Sequence, residues 1–360
     1  MAAPNEQRRT WSRFRRNRPA VVALVYIAAT VGIAIFGYWL APDNSPDANI
    51  QTPEIALQPP GFQVEVIPLR LDREIPDQSS LSILLHGKIP AARWIPVEPG
   101  SMQVDQDSIR FQRYGRATSP EALARLVTAG NTLQLRHYPL GTDKYGRCVL
   151  SRLLLGFRVS LLVGCIAVAI SLTLGLLLGL LGGYFGGRVD DAVMLLVNTV
   201  WSIPTLLLVF VIVLALGRGV GIIFLAVGLT MWVEVARVVR GQVIALRDMP
   251  FVEAARSLGL GSARILGRHI LPNLLGPVLV VAAGNFATAI LLESGLSYLG
   301  FGVQPPAPSW GTMLNDNYGY ALSGKPLLAL APAAAIALTV LAFNLVGNGL
   351  RDALDVRNRA

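Results

Sequence analysis

Few residues of this chain have the types and spacing that catalysis or metal binding requires. The three histidines, His86, His137 and His269, are far apart, so neither a metal-ligand pair nor a Ser–His pair can be argued from their spacing. The segment GLSYLG at 295–300 lacks the GxSxG spacing of a serine nucleophile. The sequence therefore predicts no catalytic residue, no metal site and no enzymatic activity of its own.

Two further patterns bear on redox chemistry and nucleotide binding. Cys148 and Cys165 have no second thiol or histidine at ligand spacing, which indicates inert thiols. The Gly-Lys pairs stand in HGKIP and SGKPL, and neither belongs to the GxxxxGK[ST] loop that cradles phosphates. We therefore expect no cofactor on this chain and no ATPase activity.

The composition is that of a membrane protein. Hydrophobic residues make up 53% of the 360 residues and charged residues only 15%, whereas soluble proteins are about a quarter charged. A helix that crosses a bilayer needs about 20 mostly apolar residues. Six runs are long enough, at 20–41, 158–182, 191–216, 219–238, 274–296 and 327–349.

The placement of arginines predicts the orientation of these spans. Although the net charge is +9, the arginines flank the apolar runs and form no single basic face, which argues against nucleic-acid binding. The N-terminus (1–19), the loop 239–273 and the tail 351–360 are basic. Because basic loops are retained in the cytoplasm, we expect both termini and that loop to be cytoplasmic.

A second kind of sequence, at 42–139, separates the first span from a five-helix core at 140–350. Alternating runs at 62–71 and 108–114 predict strands. Ser119, followed by a proline and EALARLV, predicts the N-terminus of a helix. We therefore expect a small mixed α/β insertion domain on the extracytoplasmic side.

Four glycines in the second span are spaced by four residues, which places them along one side of a helix. Small residues at this spacing let a neighbouring backbone approach closely. Tight packing and a moving helical contact are both compatible with the pattern. The glycines are Gly175, Gly179, Gly183 and Gly187.

Ionisable and amide side chains within spans are candidates for a translocation path. Glu234 and Glu293 lie near the ends of spans, where contact with water or a helix-end hydrogen bond is the alternative. Asn198 and Asn285 are candidates of the same kind, with interhelical hydrogen bonding as the alternative. An ATP-independent secondary transporter or channel would use such residues, so that class stays open at this point.

The segment EAARSLGLGSARILGRHILPN at 253–273 is a charged interruption between two apolar runs. Met249-Pro250 predicts a break before it, and the two glycines, Gly259 and Gly261, predict a bend between two short helices. Ser262 is expected to cap the second helix. We expect the adjacent alanines to be exposed at the corner, either for a protein partner or as part of an elbow on the membrane surface.

This segment resembles the EAA loop of ATP-binding cassette (ABC) importer permeases, whose usual form is EAA-x3-G-x9-I-x-L-P. Only the isoleucine slot departs from that form, because it holds a histidine. The segment at 137–164 resembles the GTD-x-x-GRDVLSR segment of dipeptide and oligopeptide permeases, with Cys148 in place of the aspartate, and ESGLSYLGFGVQPPAPSWGTML at 293–314 is similar to the same subfamily. The residues that match the loop or fill its slots are Glu253, Ala254, Ala255, Gly259, His269, Leu271 and Pro272.

The resemblance implies an all-α polytopic membrane protein with six transmembrane helices and the type I ABC importer permease fold, in a bacterial inner membrane. It implies uptake of peptides, or of nickel complexes, glutathione or opine-like solutes by the same architecture. It implies as partners a second homologous permease subunit, two cytoplasmic ATPase subunits that hold ATP and Mg, an extracytoplasmic substrate-binding protein and membrane lipid. The EAA loop would couple the ATPases to the membrane helices.

Overall fold

The computed structural model describes residues 4–71, 76–105, 108–116, 121–124, 133–217 and 219–354, with the backbone only for 4–9 and 121–124. Within these ranges the helices are α1 (Pro4–Arg16), α2 (Arg18–Leu40), α3 (Ser80–His86), α4 (Val149–Phe185), α5 (Gly187–Trp201), α6 (Thr205–Leu216), α7 (Val220–Arg247), α8 (Pro250–Ser257), α9 (Ser262–Ile265), α10 (Leu271–Tyr298), α11 (Trp310–Leu322) and α12 (Leu327–Leu354). The strands are β1 (Phe62–Arg70), β2 (Ala92–Val97), β3 (Gln103–Val104), β4 (Ser108–Phe111), β5 (Glu121–Ala124) and β6 (Gln134–Tyr138).

Five of the six predicted spans are confirmed as continuous helices long and apolar enough to cross a bilayer, namely those in α2, α4, α7, α10 and α12. The prediction of a single helix at 191–216 is wrong. The chain there forms α5 and α6, which meet at an angle of 87°. Pro204 explains the break, because it lacks an N–H and disfavours the helical conformation of the preceding Ile203.

The chain divides into two compact units. The helical unit comprises Met1–Ala29, Ser160–Gln304 and Ile336–Ala360, and the sheet unit comprises Thr30–Val159 and Pro305–Ala335. The predicted insertion therefore does not end as a separate domain at residue 139. It shares one unit with the start of α4 and with the whole of α11.

The sheet unit contains two three-stranded antiparallel sheets, in the orders β2-β1-β6 and β3-β4-β5. The strands predicted at 62–71 and 108–114 are confirmed as β1 and β4. The helix predicted after Ser119 is wrong over 121–124, which pair with β4, and the rest of that segment lies outside the described residues. Pairing with a neighbouring strand overrides local helix propensity here. The short helix α3 was not predicted from sequence.

The GTDKYGR turn, at residues 141–147, is held by hydrogen bonds and a buried ion pair that centre on Asp143. Asp143 accepts hydrogen bonds from the backbone N–H groups of Tyr145 (2.9 Å) and Arg147 (3.0 Å) through Oδ1. Its other oxygen accepts from Arg147 Nε at 2.7 Å in an almost fully buried ion pair. A buried pair of this kind is stable only when its remaining hydrogen bonds are made, and here they are made by the backbone. Lys144 extends the network to Asp316 of α11 at 2.9 Å.

Cys148, which stands where the family resemblance expects aspartate, is 2% exposed. It packs with Ile55, Val64 and Tyr138 in an apolar cluster, and burial raises the pKa of its thiol. A buried thiol with a raised pKa is unreactive, as the sequence predicts. The cysteine directly precedes α4, and hydrogen bonds with the backbone of Ser151 and Leu150 partly offset the effect of burial on the pKa of its thiol.

Three of the four spaced glycines bring α4 against α7 at backbone distance. A Cβ added at Gly179 would lie 2.7 Å from the carbonyl oxygen of Ala236, and one at Gly183 would lie 2.9 Å from that of Arg240. Gly175 approaches Val235 and the Trp232 carbonyl in the same way. The prediction fails for Gly187, which starts α5 with a positive φ of 49° and would meet nothing within 4 Å.

Replacing Gly179 with alanine tests this contact. We expect Gly179→Ala to destabilise the protein by about 1–3 kcal/mol, because the added methyl group meets the α7 backbone and cannot be accommodated by a rotamer change. Gly241→Ala in α7 is the matched control, since a Cβ there meets nothing within 4 Å. Thermal unfolding of both purified variants in detergent measures the difference. Equal melting temperatures would show that α4 and α7 are not in close contact.

Candidate coupling site

The helix α8 has well-defined ends that follow from its sequence. Pro250 occupies its first turn, where its missing N–H costs nothing. At the other end, Gly259 N–H donates to the Arg256 carbonyl (2.9 Å) and Leu260 N–H donates to the Ala255 carbonyl (3.2 Å). This pair of bonds is the Schellman motif, which needs a left-handed residue. Gly259 supplies it with φ of 74°.

The two alanines of the motif face opposite environments. Ala255 is 3% exposed and Val252 is fully buried, whereas Ala254 is exposed. The prediction that both alanines are exposed is therefore wrong for Ala255. Residues 252 and 255 lie three apart on one side of the helix, so they go inward together. The outward side carries Phe251, which is 41% exposed, and Leu258, which is 80% exposed.

The inward side of α8 belongs to one apolar cluster that reaches into the long helices. Val252 and Ala255 share this cluster with residues of α7, α9 and α10, and with Tyr184 near the end of α4. Because packed interiors transmit displacement, a movement of α8 must move the helix ends beneath it. The other buried members are Val235, Val239, Val243, Ile265, Ile270, Leu274 and Val278.

The second helical part of the 253–273 segment begins with α9 and continues through a π-helical turn into α10. Gly261, and not the predicted Ser262, occupies the N-cap position of α9, with no side-chain cap. A π-helical turn, Leu266–Ile270, follows and leads directly into α10. Pro272 accounts for this turn, because it has no N–H for the carbonyl of Arg268 and its ring would clash with that carbonyl in a regular helix.

The π-helical turn sets the environment of His269, the residue that departs from the usual form of the loop. His269 is half-buried, and its carbonyl accepts a hydrogen bond from Asn273 Nδ2 at 2.6 Å. The neighbouring Ile270 is fully buried in the apolar cluster. Ile270 therefore occupies the apolar position beneath α8. A histidine at position 269 is compatible with this packing because its side chain is not needed there. Leu271 and Pro272 are half-buried at the start of α10.

Three arginines on α7 secure the helices around the site. Arg240 binds Asp190 of α5 through two contacts of 2.5 Å. Arg247 donates to the Gly183 carbonyl at the end of α4 at 3.1 Å. These contacts could not be predicted from sequence, since the partners lie 50 or more residues away and their type does not reveal the pairing.

A third contact holds the junction between α5 and α6. Arg237 donates to Asn198 Oδ1 at 3.1 Å, and its guanidinium lies over the Trp201 ring at 3.5 Å from the centroid. Asn198 thus makes the interhelical hydrogen bond that was one of its two predicted roles. Glu234, one turn earlier on α7, is exposed at the surface of the chain.

The remaining polar candidates face the interior. Glu293 is fully buried, contrary to the expectation that it reaches water, and accepts a hydrogen bond from Ser297 Oγ at 2.7 Å. Ser297 Oγ in turn accepts from Val303 N–H at 3.0 Å, which fastens the turn after α10. This geometry supports the helix-end role of Glu293. Asn285 is buried, and its Nδ2 has no hydrogen-bond partner among the described residues.

Comparison with protein families gives two matches. Residues 172–360 match the family described as binding-protein-dependent transport system inner membrane component. Residues 7–60 match the N-terminal transmembrane domain of oligopeptide transport permease C. The first match covers more than half of the 360 residues.

Individual relatives agree with these matches. The chain is 39% identical over 249 residues to the oligopeptide transport system permease protein OppC of Bacillus subtilis, covering 69% of this chain and 79% of the relative. It is 43% identical over 234 residues to OppC of Escherichia coli K12, covering 65% and 77%. It is 38% identical over 345 residues to the dipeptide permease DppC of Escherichia coli K12, covering 96% and 91%. The similarity therefore extends beyond the motif-bearing segments at 137–164, 253–273 and 293–314.

Among solved structures, the chain is similar to one from an inward-facing form of the MetNI methionine ABC transporter. The TM-score is 0.46 at 19% identity, covering 57% of this chain and 97% of that one. A chain from an amino acid ABC transporter with histidines gives a TM-score of 0.43 at 18% identity, covering 55% and 91%.

The left-handed residue at the end of α8 gives a test of the elbow geometry. We expect Gly259→Ala to destabilise this end by about 1–2 kcal/mol, because a Cβ disfavours positive φ. Gly259→Asn is the matched control, since asparagine tolerates this conformation better. Hydrogen exchange at the amides of residues 259 and 260 measures the loss, and it should be faster in Gly259→Ala. Equal exchange in both variants would contradict the assigned conformation.

Proposed function

The chain belongs to the family of binding-protein-dependent transport system inner membrane components, and from that premise we propose that it is the permease subunit of an ABC importer for peptides. The named relatives are oligopeptide and dipeptide permeases, and they match over most of their own length. The observation that carries the mechanism is α8, whose inward side is built into the helix bundle while its outward side stays exposed.

We propose that this subunit catalyses no reaction. ATP and Mg²⁺ bind to two ATPase subunits in the cytoplasm, and a second permease completes the transmembrane path. A substrate-binding protein delivers peptide on the extracytoplasmic side. This division of labour fits a chain whose Gly-Lys pairs do not form a phosphate loop. The basic N-terminus and the arginines near α8 support placing both on the cytoplasmic side.

The exposed side of α8 has the chemistry of a docking surface. Phe251 and Leu258 offer apolar area, and Ala254 between them lets a partner approach closely. Exposed Glu253 and Arg256 on either side can set the register with complementary charges. When ATP closes the ATPase pair, the groove that holds α8 moves, and the buried Val252 and Ala255 carry that movement into the long helices. The change of access is then a shift between two states biased by nucleotide.

The translocation path is proposed to run along the junction of α5 and α6 with α7. Glu234, Asn198 and Trp201 are exposed there, and Arg237 is half-exposed. Charged groups facing hydrocarbon are costly, so this surface faces water or the second permease rather than lipid. A carboxylate and a guanidinium one helical turn apart complement the two charged ends of a peptide. The peptide is the proposed substrate class, in keeping with the names of the relatives.

Adding charge and bulk to the exposed side of α8 tests the docking role. We expect Ala254→Arg to lower peptide transport and substrate-stimulated ATP hydrolysis on the order of tenfold, equivalent to roughly 1.4 kcal/mol of lost docking. Subunit abundance should remain normal because the residue is exposed. Ala255→Arg, in contrast, should reduce abundance, since it places a charge in the apolar cluster. Ala91→Arg on the sheet unit is the matched control at an exposed alanine. Normal transport by Ala254→Arg would refute the docking assignment.

Removing the exposed carboxylate tests the path. If Glu234 faces peptide or water, Glu234→Leu should lower peptide uptake severalfold in proteoliposomes while basal ATP hydrolysis persists. If that surface faced lipid, loss of the charge would stabilise the protein, because a charge in contact with hydrocarbon is costly. Uptake and thermal stability of the same preparation therefore decide between the two. Unchanged uptake with a raised melting temperature would exclude the path.

A further inference from the structure

A basic cavity lies between the N-terminal helix and the last turns of α12. Its volume is about 250 Å³, and its lining is Arg13, Arg16, Asn17, Gly349, Asp352 and Ala353. All of these residues belong to the helical unit. From its charge and position we propose that this cavity binds the headgroup of an anionic phospholipid that carries free hydroxyls, such as phosphatidylglycerol.

The junction between α1 and α2 contributes to the lining of the cavity. Asn17 ends α1 and caps α2, because its Oδ1 accepts a hydrogen bond from Ala20 N–H at 3.2 Å. Its Nδ2 donates to Asp352 Oδ2 at 3.4 Å, which links the junction to α12. Asn17 therefore joins the end of α1, the start of α2 and the end of α12 through hydrogen bonds.

Apolar contacts hold α1 against the end of α12. Phe14 is 3% exposed and packs with Ala20 and Ala353. Gly349 makes room for it, since a Cβ there would lie 3.1 Å from the Phe14 ring. The cavity walls are thus fixed by packing, and the arginines project from a positioned helix.

The aromatic residue beside this anchor suits a membrane interface. Trp11 stacks on Phe14 with ring centroids 5.7 Å apart and is 54% exposed. Tryptophan is enriched where hydrocarbon meets the headgroups. An exposed tryptophan beside the arginines of α1 therefore fits a position at that level of the membrane.

The charges of the site select the ligand. Guanidinium groups bind phosphate oxygens through paired hydrogen bonds, so Arg13 and Arg16 are suited to a phosphodiester. Asp352 would repel a simple phosphate, but its carboxylate accepts hydrogen bonds from headgroup hydroxyls. Exposed Arg15 and Arg18 raise the local positive potential. Basic pockets beside transmembrane helices bind anionic headgroups in this way. The leaflet follows from the proposed cytoplasmic N-terminus, whereas the ligand chemistry does not depend on the transport function.

Lipid retention by the assembled importer tests the proposal. The complex is placed in nanodiscs of equimolar phosphatidylcholine and phosphatidylglycerol, and the retained lipids are counted by native mass spectrometry. We expect enrichment of phosphatidylglycerol by the unmodified protein, and a loss on the order of tenfold in Arg13→Gln/Arg16→Gln. Arg93→Gln/Arg116→Gln on the sheet unit is the control with the same charge change. Equal enrichment in the unmodified protein and the first double variant would overturn the site.

Two further arms define the ligand. Phosphatidic acid in place of phosphatidylglycerol should be retained less, because it offers no glycerol hydroxyls to Asp352, and equal retention would overturn the assignment to a hydroxyl-bearing headgroup. Glycerol 3-phosphate added to complexes in phosphatidylcholine alone should not bind measurably. Binding of this soluble ester, lost in the first double variant, would assign the cavity to a soluble phosphate and overturn the lipid. None of these readouts requires transport, so a failure of the proposed function would leave them interpretable.

Discussion

The close approach of α4 and α7 is the contact on which the coupling end of this protein depends. Valines at 235, 239 and 243 fill the spaces left by Gly175, Gly179 and Gly183. The same three valines form the floor on which α8 rests. One side chain at each position therefore serves two interfaces. A change in the distance between α4 and α7 therefore changes the surface against which α8 packs. In the same way, a displacement of α8 changes the packing between α4 and α7.

The arginines of α7 also connect this helix to its neighbours. Each of its three arginines beyond the apolar half of the helix has a defined partner in another helix. In a low-dielectric environment an arginine without a partner is costly, and a bonded one fixes geometry as well as charge. Arg240 holds the start of α5 to α7, and Arg237 holds the end of α5, just before the α5–α6 bend. The bent span is thereby held against a straight one, and its polar junction stays at the surface of the chain.

The elbow shows where local pattern misleads. Phe251, Ala254, Ala255 and Leu258 read as one side of a helix, so periodicity alone suggests that they share an environment. In the fold the helix turns Val252 and Ala255 inward and leaves the larger apolar residues exposed. Periodicity assumes that apolar means buried within the same chain. It fails for a helix that is proposed to complete its burial in another subunit. The prediction of a helix at 121–124 fails for the opposite reason. There, pairing with a neighbouring strand of the same chain outweighs the helical propensity of the segment.

The sequence by itself determined the membrane-spanning character, the positions of five spans, the elbow at 253–273 and the family resemblance. Hydrocarbon thickness and backbone conformation impose local requirements, which a run of apolar residues or a glycine after a helix can display. Only the tertiary structure decided that Ala255 is buried, that Gly187 is outside the packing stripe, that Glu293 fastens a turn and that Arg237 stacks on Trp201. These outcomes depend on which helices become neighbours, and residues far apart in the chain carry no local mark of the partner they will meet.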